Sequence, residues 1–258
     1  MLRVRIKTVV KGAFRVLGYE VNKVYRPTES QSWFKFHETC QIPYLSSIYL
    51  RIFGKEHIGL VVEVGAFDGE KFSNSSGLIE RGWSGLLIEP IPTYADLCRE
   101  KYKENTNVRV VQSAASNVNG STSILISGPL STINSDLADE YTRLDWAKNE
   151  VGSEIIEVQT RTLDSILESN NISSGFEVLV VDVEGFETEV FEGFNIEFWK
   201  PKMIIVELTD FHPTLELGKD AHFYLGKEIS AHGYVVIFKD SINTIFVQEN
   251  LLTKVFSK

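Results

Sequence analysis

The stretch Leu60-Val61-Val62-Glu63-Val64-Gly65-Ala66-Phe67-Asp68-Gly69 decides the fold. An apolar run carrying one acid ends in a turn bounded by two glycines, with an aspartate between them. A short apolar run closed by a Gly-rich turn is the pattern of a buried parallel strand handing over to a helix. Gly65 and Gly69 permit a tight turn and a close backbone approach to a ligand, because no Cβ stands in the way. The carboxylates of Glu63 and Asp68 disfavour a phosphate here, since like charges repel at short range. A cationic or hydroxyl-bearing cofactor suits them. That points away from a dinucleotide and towards S-adenosylmethionine (SAM), whose sulfonium and amino groups are positive.

Outward from this turn, strands and helices alternate. Ser73-Asn74-Ser75-Ser76 opens a helix, either as ordinary N-caps or as donors to a ligand carboxylate at the helix start. Gly85-Leu86-Leu87-Ile88-Glu89-Pro90 reads as a second buried strand ending in an acid. Glu89 lies roughly 20 residues beyond Asp68, near the spacing at which an acid meets ribose hydroxyls in nucleotide-binding α/β folds. An acid before proline also ends strands that bind nothing. A third strand at 108–112 enters the loop Ser113-Ala114-Ala115, and a fourth at 176–182 ends in Asp182-Val183-Glu184-Gly185-Phe186-Glu187. A fifth at 202–207 ends in Glu207 and leads into Thr209-Asp210-Phe211-His212-Pro213.

Helices are expected near 48–53, 93–103, from Thr162 onward, and at 221–232. Strands at 234–239 and 244–248, joined by a short link, predict a closing hairpin whose last strand is antiparallel. Between the third and fourth strands lies an excursion. It holds two strands (121–126 and 155–160), a flexible turn at 127–132 and a helix over 136–148, and it is a candidate lid or substrate-selecting insert. The pattern predicts an α/β sheet with helices on both faces. Acids at the ends of four strands converge on its carboxyl edge, the usual site of such sheets.

Composition bounds the rest. With 258 residues, 43% hydrophobic and 24% charged, the chain suits one large globular domain with an arm. Cys40 and Cys98 show no metal or disulfide spacing, which suits a cytoplasmic protein with reduced thiols. No apolar run approaches membrane-spanning length, and no signal-peptide pattern is expected at the N-terminus. Residues 1–26 carry seven Lys or Arg against one Glu, so the remainder holds −15 of the net −9 charge. An acidic body argues against a nucleic-acid partner. The boundary is drawn as an arm over 1–38 and a domain over 39–258. Residues 2–17 form an amphipathic helical stripe suited to an anionic membrane surface, or to docking on the domain itself or on a second subunit.

Several stretches together resemble the FkbM family of SAM-dependent methyltransferases. They are Val62-Glu63-Val64-Gly65-Ala66-Phe67-Asp68-Gly69, Ser73-Asn74, Gly82-Trp83-Ser84-Gly85-Leu86-Leu87-Ile88-Glu89-Pro90, Thr162-Leu163-Asp164 and Asp182-Val183-Glu184-Gly185-Phe186-Glu187. The resemblance runs from about residue 58 to 210 and departs from the family pattern at Phe67, where a small or polar residue is usual. It implies a class I, Rossmann-like methyltransferase fold with seven strands in the order 3-2-1-4-5-7-6 and strand 7 antiparallel. It implies O-methylation, often of a sugar hydroxyl in a glycan or natural product. Carried onto this chain, the 65–69 turn, with Glu63, Ala66, Phe67, Asp68, Ser73 and Asn74, would cradle the methionine part of SAM. Glu89 and Pro90 would meet the ribose, Ser113 and Ala114 the adenine, and Asp182 the methyl-bearing end.

A sugar hydroxyl is a poor nucleophile near neutral pH, so a base or a metal must assist. Asp182, Glu184, Glu207, Asp210 and His212 are the candidates. Carboxylates from adjacent strand ends, Asp182 and Glu207 above all, suit Mg²⁺ or Mn²⁺. Without metal, His212 or Glu184 would serve as base, against a surface-loop role for His212 and a helix-capping role for Asp182. An NAD oxidoreductase would want glycines where this turn has Ala66, Phe67 and Asp68. A catalytically inactive SAM-binding or glycan-binding module on the same scaffold stays open.

Overall fold

The computed structural model describes residues 37–256. The predicted arm over 1–38, its stripe over 2–17 included, lies outside the described residues except for His37 and Glu38.

Seven strands form the main sheet: β1 (Leu60–Val64), β2 (Ser84–Ile88), β3 (Val108–Val111), β7 (Val178–Val181), β8 (Met203–Glu207), β9 (Tyr234–Lys239) and β10 (Asn243–Gln248). Their order is β3-β2-β1-β7-β8-β10-β9. The first five are parallel, and β10 pairs antiparallel with both β8 and β9. Counting only the sheet's own strands, this is the order 3-2-1-4-5-7-6 expected above.

Alternation along each strand builds two cores. Val62, Val64, Leu179, Val181, Ile204 and Val206 face one side, against helices α5 (Leu163–Ser169) and α8 (Lys219–Ala231). Val61, Leu87, Val178, Val180, Met203 and Ile205 face the other, against α1 (Leu45–Phe53), α2 (Ser76–Glu80) and Cys98 of α3 (Pro92–Lys101). Each fully buried aliphatic side chain contributes about 1.5–3 kcal/mol, so a parallel sheet buried on both faces reads as a continuous apolar run.

The excursion forms a second sheet, β4-β6-β5, from β4 (Ala114–Ser116), β5 (Gly120–Ile126) and β6 (Glu154–Thr162). β4 corrects the expected loop at Ser113–Ala115: it pairs in parallel with Thr160–Thr162. The helix expected over 136–148 stops early, as α4 (Ser135–Tyr141). Beyond it the chain turns through i→i−3 bonds, Leu144 N–H to Tyr141 and Ala147 N–H to Leu144. That turn brings Tyr141 and Ala147 into one cluster with Leu215, whereas a straight helix would point residues six apart in different directions. Nor is the 127–132 turn free, since the Ser131 hydroxyl donates to Gly128 O and the Thr132 hydroxyl to Glu184 O. A C-terminal helix, α9 (Glu249–Phe256), was not foreseen. Among the described residues no helix is long and apolar enough to cross a membrane.

Candidate active site

The site lies where β1, β2, β7 and β8 end. Gly65 has φ +85, and a Cβ there would overlap the Asp182 carbonyl oxygen. A glycine is required because the β1 turn and the end of β7 meet at this point, with the Asp182 N–H donating to Val64 O. Phe67 also has a left-handed backbone, φ 48. Such strain costs of order 1–3 kcal/mol. It is held by the Phe67 N–H bond to Glu89 Oε2, 2.9 Å, and by edge-on packing of the ring against Tyr94, 4.6 Å.

A cleft of about 560 Å³, counting its open mouth, begins here. From the predicted cofactor set, Gly65, Phe67, Glu89, Pro90, Ser113, Ala114 and Asp182 line it, as does the predicted catalytic Glu184. The excursion, expected as a lid or substrate-selecting insert, closes one wall through Gly128, Pro129 and Ile133. Glu89 sits at the end of β2, 4% exposed, accepting from Phe67 N–H and from Ile91 N–H at 2.8 Å. Burial, only partly offset by those bonds, pushes its pKa up to about 7. A carboxylate in this setting has remaining lone pairs for a vicinal diol.

Other predicted cofactor residues stand behind the cleft. Glu63, 3% exposed, accepts from the Ser73 hydroxyl at 3.0 Å, the Ser75 hydroxyl at 2.7 Å and Asn74 N–H at 3.0 Å. Glu63, Ser73 and Asn74 thus form an internal network that fixes the chain before α2. The Ser73 hydroxyl also accepts from Ser75 N–H at 3.1 Å and Ser76 N–H at 2.9 Å, the capping role expected at the start of α2, while its proton and the Asn74 N–H go to the Glu63 carboxylate. Asp68 caps its own turn by accepting from Glu70 N–H and Lys71 N–H. Gly69 packs beneath against Cys98 and Tyr102, and Ala66 is buried in the core.

The predicted acids converge. One oxygen each from Asp182, Glu184 and Glu207 lie within 4.8 Å of one another. Among the described residues no Lys or Arg lines the cleft, and Glu207 Oε2 is buried with no partner. Desolvation first, then mutual repulsion, drives Glu184 and Glu207 well above the usual carboxylate range; burial lifts Asp182 to about 6. Tyr141 on α4 donates a short hydrogen bond to Glu184 Oε2.

Glu184 itself has φ 53. Its turn is held by fully buried Glu187, whose Oε1 accepts from Val183 N–H (3.0 Å) and Gly185 N–H (3.3 Å). Glu187 Oε2 meets His222 Nε2 at 3.1 Å, and His222 Nδ1 accepts from Thr209 N–H at 3.0 Å. That backbone donor requires Nδ1 bare, so Nε2 carries the proton and donates to Glu187. The pair therefore ties the turn after β7 to the turn after β8, and with it the spacing of the three acids. Glu187 was quoted in the sequence motif without a role. His222 gave no signal at all, standing 35 residues away in sequence.

His212 is a correction. Its Nδ1 accepts from Leu215 N–H at 2.9 Å, its ring packs beside Trp146, and it lines neither cavity near the acids. Proline at 213 and the backbone turn draw it away from the reaction centre. Asp210 likewise pairs with Lys239 at 2.7 Å.

This sheet order, with its glycine turn and its strand-end acid Glu89, defines a class I methyltransferase, a class that uses SAM. The model of the FkbM methyltransferase domain matches residues 63–236, and the chain belongs to that family. No curated protein matches the chain. Among solved structures, it is similar to a putative O-methyltransferase from Klebsiella pneumoniae (10% identity, 93% of this chain and 88% of that one, TM-score 0.45). It is also similar to a precorrin-6y C5,15-methyltransferase from Geobacter metallireducens (11% identity, 84% and 94%, TM-score 0.40).

Proposed function

We infer that this methyltransferase transfers the methyl group of SAM to a hydroxyl of a neutral acceptor, a sugar of a glycan or glycosylated natural product. The observation that carries the reading is the meeting of Asp182, Glu184 and Glu207 at the end of the cleft nearest Gly65. Glu89 marks the cleft's ribose end, so the methionine portion would run towards Gly65 and set its sulfonium beside Asp182. A carboxylate there favours the cation electrostatically. The same three acids surround the place where the acceptor oxygen must sit in line with the methyl group.

The acids fit a divalent cation, Mg²⁺ or Mn²⁺: three hard oxygens are close together and one buried oxygen lacks a partner. Asp182, Glu184 and Glu207 would hold it. Its chemistry, when bound, is to lower the pKa of the acceptor hydroxyl. The chain's own residues orient the hydroxyl, exclude water through the excursion, and take up its proton on a carboxylate of the trio. The alternative, an inactive binding module, is disfavoured by three acids, Glu207 buried and Asp182 and Glu184 half-buried, kept together against their own repulsion.

Calorimetry with S-adenosylhomocysteine, followed by methyl transfer to a panel of sugars with and without EDTA, tests the reading. We expect micromolar cofactor binding and a chelator-sensitive rate. Cofactor binding without transfer to any hydroxyl would favour the inactive module. A rate indifferent to EDTA would remove the metal.

A further inference from the structure

The excursion between β3 and β7 reaches the cleft through one short turn, residues 127–133. Gly128, Pro129 and Ile133 line the cleft together with Pro90, Tyr94 and Ala114. Below that surface the two sides are packed into each other. Ile124, Ile126 and Ile133 share an apolar cluster with Ile91, Tyr94 and Ala114. Ile91 and Tyr94 follow the ribose acid Glu89 in the chain, and Ala114 is the residue expected at the adenine. The turn therefore stands at the adenosine end of the cleft.

It is built to hold its shape. Leu125 and Thr132 pair through two backbone bonds, 2.9 and 3.2 Å. Ser127 N–H donates to Ser131 Oγ at 2.9 Å, and the Ser131 hydroxyl donates to Gly128 O at 2.6 Å. Gly152 N–H donates to Ser127 Oγ at 2.9 Å, and Gly128 supplies the reversal with φ +61. Past the turn, the Thr132 hydroxyl donates to Glu184 O, the Asn134 amide to Gly185 O and the Tyr141 hydroxyl to Glu184. One segment thus runs from the adenosine end to the acids and is pinned at both. It is a standing wall, not a loop free to swing.

The chemistry of this wall selects its occupant. Pro129 lines the cleft and is exposed. The hydroxyls beside it are committed, Ser131 to Gly128 O and Ser113 to Ala114 O and Gln159 O. A polyhydroxylated acceptor placed here would give up water and find those groups already engaged. The flat face of a purine asks for no such partner and buries apolar area against the proline ring.

We propose that residues 128–133 are a cofactor clasp, in which Pro129 and Ile133 pack against the adenosine half of SAM. The inference rests on the methyltransferase reading and deepens it, since a wall expected to select the acceptor holds the cofactor instead.

The test uses the full chain, titrated with S-adenosylhomocysteine by calorimetry and with adenosine by saturation-transfer NMR. Pro129→Ala removes exposed ring atoms outside the core, so the melting temperature should match that of the wild type. Both ligands should weaken by the same factor, about five- to tenfold, because both lose the same contact. Amide exchange over 127–133 should slow when S-adenosylhomocysteine is added to the wild type. Unchanged affinity for both ligands in folded Pro129→Ala would overturn the clasp, as would exchange over 127–133 that the ligand leaves untouched. Weakening of S-adenosylhomocysteine with adenosine unaffected would also overturn it, by moving Pro129 to the methionine end. Failure of the wild type to bind S-adenosylhomocysteine at all is a different result, since it removes the cofactor reading on which the clasp rests.

Discussion

Two groups of carboxylates stand on strands of the same sheet, and their surroundings are opposite. Glu63 has donors on both oxygens, from Ser73, Ser75 and the Asn74 backbone. Asp182, Glu184 and Glu207 share a space that no Lys or Arg of the described residues lines, with one hydrogen bond from Tyr141 and one orphaned oxygen. In sequence all four look alike, each an acid within or just beyond an apolar strand. What separates them is the supply of donors. A buried acid surrounded by donors is a structural fixture, whereas acids held together without them are retained for something that arrives.

The largest effect that would break this contrast is expected at Asp182. Asp182→Asn should lower single-turnover methyl transfer by about 10²–10⁴-fold, with the melting temperature unchanged or raised, because one charge leaves a mutually repelling set. Near-normal turnover would reduce Asp182 to the capping role. Glu63→Ala should behave in the reverse sense. It leaves two hydroxyls and a backbone N–H without their acceptor in the core, at about 1–3 kcal/mol each, so a total loss of about 3 kcal/mol or more is expected in urea unfolding. A folded, stable Glu63→Ala protein that has lost only cofactor affinity would move Glu63 into the site instead.

Glu89 lies between the two cases, because it is partly satisfied by Phe67 and Ile91 and still lines the cleft. Glu89→Ala should weaken S-adenosylhomocysteine by roughly ten- to a hundred-fold, about 1.5–3 kcal/mol, measured by calorimetry. Unaltered affinity in the folded variant would end its ribose assignment.

These cases also mark what the sequence could carry. Apolar runs, glycine turns and terminal acids marked an α/β sheet, because each is a local consequence of a strand buried on both faces. The places of Gly65, Glu89 and Asp182 at strand ends along the cleft were legible for the same reason. The order of the strands followed instead from the resemblance to the FkbM family. His212 was misjudged because its direction depends on the turn around Pro213 and on Trp146, 66 residues away in sequence, and no local pattern records that. The Glu187–His222 pair was invisible because it exists only once α8 packs beneath β8. Ser73 caps the start of α2 as its type suggests, but no local pattern records that its proton and the Asn74 N–H go to the buried Glu63 carboxylate, ten and eleven residues earlier.

The smallest effect sharpens the comparison from the structural side. Burial outweighs the donors around Glu63 and lifts its pKa to about 7. The network tolerates either protonation state, because serine hydroxyls can donate to a carboxylate or turn and accept from a carboxyl group. In the unfolded chain the ordinary value is 4.5. Between these limits the folded protein binds more protons than the unfolded one, so stability is greatest below pH 4.5 for this group and falls as pH rises to about 7. The contribution is on the order of 1–3 kcal/mol. Glu89, with the same direction and a value of about 7, adds a parallel slope. Glu63→Gln keeps an acceptor for Asn74 N–H and a donor for the serines, and it cannot ionise. Urea unfolding at a series of pH values should therefore show a shallower decline in Glu63→Gln than in wild type, the variant gaining relative stability between about pH 4.5 and 7 and holding that gain above. An identical slope in both proteins would mean that Glu63 stays ionised throughout, held by its donors more strongly than burial opposes it.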